Sequence, residues 1–190
     1  MTVTVIPELE PMGRVLTAEE YDALPENPRR ELVDGVIQLM ASPTFRHQSV
    51  KEALYMLLRR SRPDDLAVLA EVEIRLKPLL RRIPDIVLVR RSAYAGDRNQ
   101  CEPSEVVLAV EVVSPGSQSA DRRFKPAEYA AAGIEHYWLV EIDPDIVVYA
   151  YWLVAPGRYD LTGVFKTGET VTVPALGWVR LDVAELADEG

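Results

Sequence analysis

Cysteine and histidine are nearly missing from this 190-residue chain: Cys101 is the only cysteine, and His47 and His136 are the only histidines. One cysteine excludes an internal disulfide framework, and so few Cys and His residues cannot build a structural zinc site. Any metal must therefore sit on oxygen, which points to carboxylates and to a hard ion such as Mg2+ or Mn2+. Also missing is any apolar run near the roughly 18 residues that a membrane span needs. The start, Met1-Thr2-Val3-Thr4-Val5-Ile6-Pro7, lacks the basic segment and long apolar stretch of a secretory signal. The expectation is a cytoplasmic protein without a membrane partner. Internal repeats and low-complexity tracts are absent too.

What is present suits one domain over residues 1–190, with 48% apolar residues for a core and 27% charged residues, an ordinary share for a folded chain. The net charge of -9 argues against a simple nucleic-acid binder. The balance is uneven, however: residues 46 to 125 hold 15 Lys/Arg against 11 Asp/Glu, which leaves 6 against 19 elsewhere. A basic face can survive inside an acidic protein.

Residues 1–16 carry Pro7 and Pro11 and no periodicity, and read as an N-terminal arm. Thr17 and Glu20 form a capping-box pattern that opens a short helix ending before Pro25. Asp34-Gly35 between apolar stretches predicts a tight hairpin. From Thr44 to about Arg60, Val50, Ala53, Leu54, Leu57 and Leu58 fall at helical spacing, a helix that should cover one face of a sheet. Three strand-like runs follow, Ala67 to Leu76, Ile83 to Val89 and Val106 to Val113, the last two nearly continuously apolar as in strands buried on both faces. A helix over about Ala120 to Ala132 ends at Gly133, with Pro126 in its first turn or breaking it. His136 to Ile142 reads as a strand, and residues 143–190 as a β-rich C-terminal extension that includes a hairpin around Pro156-Gly157. The fold class is α/β (α+β): a mixed β-sheet flanked by helices.

Glu111 is the most informative residue. It interrupts Val106-Val107-Leu108-Ala109-Val110-Glu111-Val112-Val113, where an unpaired carboxylate is costly to desolvate and needs a cation or hydrogen-bond donors. Asp85 follows Pro84 at the start of a second apolar strand, so neighbouring strands would bring both carboxylates to one place, where a divalent cation relieves their repulsion. Lys125, on the helix after Glu111, can fold back over the sheet to reach them. Two acids and a lysine around an oxygen-bound ion suit phosphodiester hydrolysis.

These residues resemble the PD-(D/E)XK nuclease superfamily, and more closely its Uma-type restriction-endonuclease branch, from about Leu16 to Trp138 and more weakly beyond. The pieces that carry the likeness are Leu16-Thr17-Ala18-Glu19-Glu20-Tyr21, Arg30-Glu31-Leu32-Val33-Asp34-Gly35, His47-Gln48, Pro84-Asp85, Val110-Glu111-Val112-Val113-Ser114-Pro115, Asp121 with Lys125 and Tyr129, and Gly133-Ile134-Glu135-His136-Tyr137-Trp138-Leu139-Val140. The resemblance implies a restriction-endonuclease-like fold and Mg2+-dependent DNA cleavage, with Mn2+ as a substitute ion. Asp85, Glu111 and the carbonyl of Val112 would then be metal ligands, and Glu31 an upstream acid of the site. The superfamily motif has lysine two positions after the second acid, where this chain has Val113; the Uma-type branch carries it on the following helix, here Lys125.

Each residue also has a plainer reading. Glu111 could pair with Arg75, Arg122 or Arg123, and Asp85 could cap backbone donors at a strand start. Lys125 could be a solvated helix charge held by Asp121 four residues earlier. His47, placed on the exposed side of its helix, could contact a substrate phosphate or cap the helix. Tyr129 reads as packing, and Arg59/Arg60, Arg81/Arg82 and Arg90/Arg91 as phosphate contacts or solvated faces. The function expected is a metal-dependent endonuclease acting on DNA, with a symmetric homodimer supplying two sites for two strands. The alternative is a nuclease-like fold that no longer cuts and serves as a binding or assembly module.

Overall fold

A computed structural model describes residues 13–25, 29–94, 98–173 and 175–187; the rest of the expected N-terminal arm, residues 1–12, lies outside them. The arm's described end is docked, because Leu16 is buried and its N–H donates to the Gly35 carbonyl at 2.7 Å. The capping box forms as expected, with Thr17 and Glu20 satisfying each other's backbone N–H at the start of α1 (Ala18–Asp22). Strands β1 (Arg30–Val33) and β2 (Val36–Leu39) join through Asp34 and Gly35, with φ of 50° and 78°. Two successive positive φ values give the turn whose twist matches an antiparallel pair. Thr44 caps α2 (Phe45–Ser61) by accepting the His47 N–H, and Val50, Leu54 and Leu58 make its buried stripe.

The run expected as one strand over Ala67 to Leu76 is two: β3 (Leu66–Ala70) and β4 (Glu73–Lys77), which belong to different sheets. Between them Glu71 takes a φ of 54°, held by its N–H on the Asp85 carbonyl and its carboxylate on Lys51. Strand-like residue types continue across the break, so composition gives no sign of it.

The chain continues through β5 (Leu80–Arg82), β6 (Ile86–Arg90), β7 (Gln100–Cys101) and β8 (Val106–Val112). A π-helical turn over Ala120–Phe124 leads into α3 (Lys125–Ala131). Strands β9 (His136–Glu141), β10 (Val147–Ala155) and β11 (Arg158–Lys166) follow, then β12 (Thr170–Val173) and β13 (Leu176–Asp182). The larger sheet has the order β11-β10-β9-β8-β6-β3 and the smaller β2-β1-β5-β4-β7, while β12 and β13 pair separately. Within the larger sheet only β8 and β9 run parallel, joined through α3, as a crossover requires. Strands β10 and β11 thus extend the main sheet.

Alternation sorts the larger sheet's side chains onto two cores. Ile86, Leu88, Leu108, Val110 and Trp138 pack against α2 and the β12–β13 hairpin. Val87, Val89, Ala109, Val113 and Tyr137 face the smaller sheet and Tyr129 of α3. Lying between Ala109 and Val113, Glu111 must point to this second face.

Candidate active site

Strands β6 and β8 are antiparallel neighbours with Ile86 opposite Val110, so the next step along the ladder sets Asp85 across from Glu111 on the same face. Asp85 Oδ2 accepts the Val112 N–H at 2.8 Å and lies 3.4 Å from His47 Nε2. The Val113 N–H points to β9, where it donates to the Val140 carbonyl at 2.8 Å. By alternation Val112 turns both its N–H and its C=O the other way, toward Asp85. Two carboxylates and one backbone carbonyl therefore gather at one end of the sheet.

Lys125 completes the group. Its Nζ lies 2.8 Å from Glu111 Oε2, 2.9 Å from Asp121 Oδ1 and 3.9 Å from Glu31 Oε1. The π-helical turn brings it there: the Lys125 N–H reaches back five residues to the Ala120 carbonyl. Pro126 has no N–H to offer the Asp121 carbonyl, and the Tyr137 hydroxyl donates to that carbonyl instead, at 2.8 Å. Such single-turn π segments recur at functional sites. The Tyr129 hydroxyl donates to Glu111 Oε1 at 2.7 Å, so both Glu111 oxygens have partners.

Glu31 enters from β1. Its carboxylate accepts the Ile83 N–H at 2.9 Å and Arg82 Nη1 at 2.8 Å, and Arg82 also holds Glu128. The four carboxylates Glu31, Asp85, Glu111 and Asp121 thus share one cleft: Glu111, Asp121 and more distantly Glu31 surround Lys125, Arg82 ties Glu31 to Glu128, and Asp85 lies against Val112 and His47. All four are buried. Burial holds the Glu111 pKa well above the usual carboxylate range; Lys125 pulls it down, while Asp121, Asp85 and Glu31 push it up. Asp121 is raised by burial too, with Lys125 opposing. Burial works against the Lys125 charge, but Glu111, Glu31 and Asp121 outweigh it and hold the ammonium above an ordinary lysine.

A cleft of about 150 Å³ opens onto these groups, walled by the segment from Gln38 to Pro43, by His47 of α2, and by Ser114, Gly116 and Ser117. Among the described residues, no three His, Cys, Asp or Glu side chains form a ready-made metal cage. The donors present fit Mg2+ nonetheless, since that ion is commonly held by one or two carboxylates and completes its shell with water and substrate oxygens. Each carboxylate oxygen also has two lone pairs, so the hydrogen bonds to Glu111 do not exhaust it.

The family model described as "Uma2: Putative restriction endonuclease" matches residues 18–184. This chain belongs to the Uma2 family. Its fold is similar to the crystal structure of a "putative nuclease belonging to DUF820" from Anabaena variabilis ATCC 29413, with a TM-score of 0.73 and 18% identity over 90% of this chain and 97% of that one. The likeness shows that the two chains share one fold. A search of curated proteins returned no match.

In this Uma2 chain Asp85, Glu111, Val112, Lys125, Glu31 and His47 all converge on one cleft. Several sequence readings need correction. His47 is buried, not exposed, and meets Asp85; its i, i+3, i+7, i+11 spacing with Val50, Leu54 and Leu58 places it on the helix's inner face. Tyr129 is more than packing, since its hydroxyl holds Glu111. Arg81 and Arg82 are buried in ion pairs with Asp22, Glu31 and Glu128 rather than turned to phosphate. Glu111 pairs with Lys125 and not with the arginines considered.

Proposed function

We propose that the protein is a cytoplasmic, metal-dependent endonuclease that hydrolyses DNA phosphodiester bonds. The observation that carries the reading is the meeting of Asp85 and Glu111, from neighbouring strand ends, beside Lys125 in one cleft. Family membership supports the same class of chemistry. Asp85, Glu111 and the Val112 carbonyl would hold Mg2+, with Mn2+ able to substitute. When bound, such an ion neutralises phosphate charge and lowers the pKa of coordinated water.

The chain's own groups do the rest. Lys125 keeps its proton and offers positive charge to the phosphate oxygens as negative charge builds on them. Asp121 and Tyr129 hold Lys125 and Glu111 in place. His47 lies against the Asp85 oxygen that accepts the Val112 N–H and helps orient it, and Glu31 anchors Arg82 and lies near Lys125. Cutting both strands of a duplex takes two such sites, which a symmetric homodimer supplies.

Plasmid incubated with Mg2+ or Mn2+ tests the reading. Wild-type protein should cut, and Asp85→Ala and Glu111→Ala should not; equal cleavage by all three overturns the mechanism. A non-cutting binding or assembly module is the second reading, favoured by the ties between Glu111 and Lys125 and between Glu31 and Arg82. A cutting site should gain thermal stability from Mg2+ through linkage, whereas a site closed by its own cations should gain none.

A further inference from the structure

The site lies deep, and the cations that line its cleft are paired within the protein. Glu111 is 2% exposed, Lys125 4% and Asp85 7%. One lip of the cleft is the end of β2 and the chain from it to α2, which contributes Leu39, Met40, Ala41 and Pro43 to the lining. The facing lip is the Ser114 to Ser117 loop, and the two come so close that a Cβ on Gly116 would stand 2.9 Å from the Ala41 Cβ. The cations lining the cleft are committed to the protein's own acceptors: Arg29 to the Met40 and Ala41 carbonyls, Arg82 to Glu31 and Glu128, Lys125 to Glu111 and Asp121. Just past that lip, at the first residue of α2 and two residues from both Pro43 and His47 of the cleft wall, Phe45 stands 95% exposed, and Leu39 is 52% exposed.

We infer that the cleft takes a DNA strand that is unpaired around the scissile phosphodiester, with Phe45 stacking on a neighbouring base; this rests on the nuclease reading above. A duplex brings one phosphate charge per about 1.7 Å of axis, against about 3.4 Å for one strand, and is normally met by a broad surface of uncommitted Lys and Arg. This chain carries a net charge of -9 and lines its cleft with carboxylates, an apolar lip and cations paired within the protein. A single strand has the matching chemistry: it can bend a phosphate into a narrow cleft while its bases lose their stacking partners. An exposed aromatic ring is the usual sequence-tolerant platform for such bases. Phe45 and Leu39 supply apolar surface where the strand would leave the cleft, and covering them removes that surface from water.

The test is fluorescence anisotropy with a labelled single-stranded oligonucleotide and the duplex of the same sequence, in Ca2+ so that binding is read apart from cleavage. Wild-type protein should bind the single strand at least about tenfold more tightly than the duplex. Phe45→Ala should weaken single-strand binding about tenfold while Phe45→Trp preserves it. Because the side chain is exposed, neither substitution should move the melting temperature, which is checked in parallel. Equal or tighter duplex binding, or Phe45→Ala matching wild type, overturns the inference and leaves the nuclease reading standing. Absence of binding to either oligonucleotide overturns both. Preferential, Phe45-dependent binding with no cleavage in Mg2+ or Mn2+ supports the strand preference and sinks the nuclease reading alone.

Discussion

Lys125→Met removes the ammonium shared by two carboxylates while keeping an apolar stem in its place. Glu111 and Asp121, 2.8 and 2.9 Å from Nζ, are 2% and 1% exposed, so water cannot replace the lost partner. Deleting one member of a buried ion pair costs about 3–5 kcal/mol. For a chain of this size each kcal/mol moves the melting temperature by about 2–4 °C, so the variant should melt about 6–20 °C lower near pH 8 in EDTA, followed by circular dichroism. Glu111 can escape by taking up a proton: its pKa already lies above the usual 4.5 through burial, and Lys125 is what pulls it down. A carboxyl raised in the folded state contributes stability that is full below its unfolded pKa and lost as pH climbs through the folded one. The gap between variant and wild type should therefore widen as pH rises from about 5 to about 8. Adding Glu111→Gln to the variant should recover part of the loss. A drop under about 2 °C, the size a surface pair gives, would refute the reasoning and return Lys125 to the solvent.

Three further perturbations probe the frame around the site. Tyr129→Phe leaves Glu111 Oε1 without its phenolic donor inside the core, and should cost about 1.5–3 kcal/mol in urea unfolding with no change in secondary structure. His136 is buried, and burial holds its pKa below the ordinary 6.5, with Glu135 in opposition. The unfolded chain then takes the proton first, so stability is kept above the unfolded pKa and lost as pH falls through it; the melting temperature of His136→Gln should fall less than that of wild type between about pH 7.5 and 5. Gly35→Ala forces a side chain onto a φ of 78° with its Cβ 2.8 Å from Val15 Cγ1 and 3.0 Å from the Leu16 carbonyl oxygen. It should lose about 1 kcal/mol or more, seen as a melting temperature at least about 2 °C lower.

Much of this arrangement is legible in the sequence because it follows from strand and helix period. An acid inside an unbroken apolar strand, as at Glu111, has to find a cation, and Pro84-Asp85 ahead of a second such strand supplies a neighbour at the same sheet end. Lys125 follows from folding a helix back over the parallel crossover. The inward side of a helix was equally available from spacing: His47 shares a face with Val50, Leu54 and Leu58, and Tyr129 stands four residues after Lys125 and eight after Asp121. Long-range contacts are another matter. No residue type marks Glu71 as the left-handed break between β3 and β4, and the burial of Arg81 and Arg82 depends on Asp22, Glu31 and Glu128 arriving from three other segments. The π-helical turn is half legible, since Pro126 announces an irregular first turn but not that the Tyr137 hydroxyl takes the orphaned Asp121 carbonyl.

Crystals soaked in Mn2+ and recorded at the manganese absorption edge would locate a bound ion by its anomalous signal. A peak within coordination reach of an Asp85 oxygen, a Glu111 oxygen and the Val112 carbonyl, lost in Glu111→Ala, is the expected result. Full-strength diffraction with no peak there, Glu111 still clasped by Lys125 and Asp85 still against His47, would contradict a metal-dependent site.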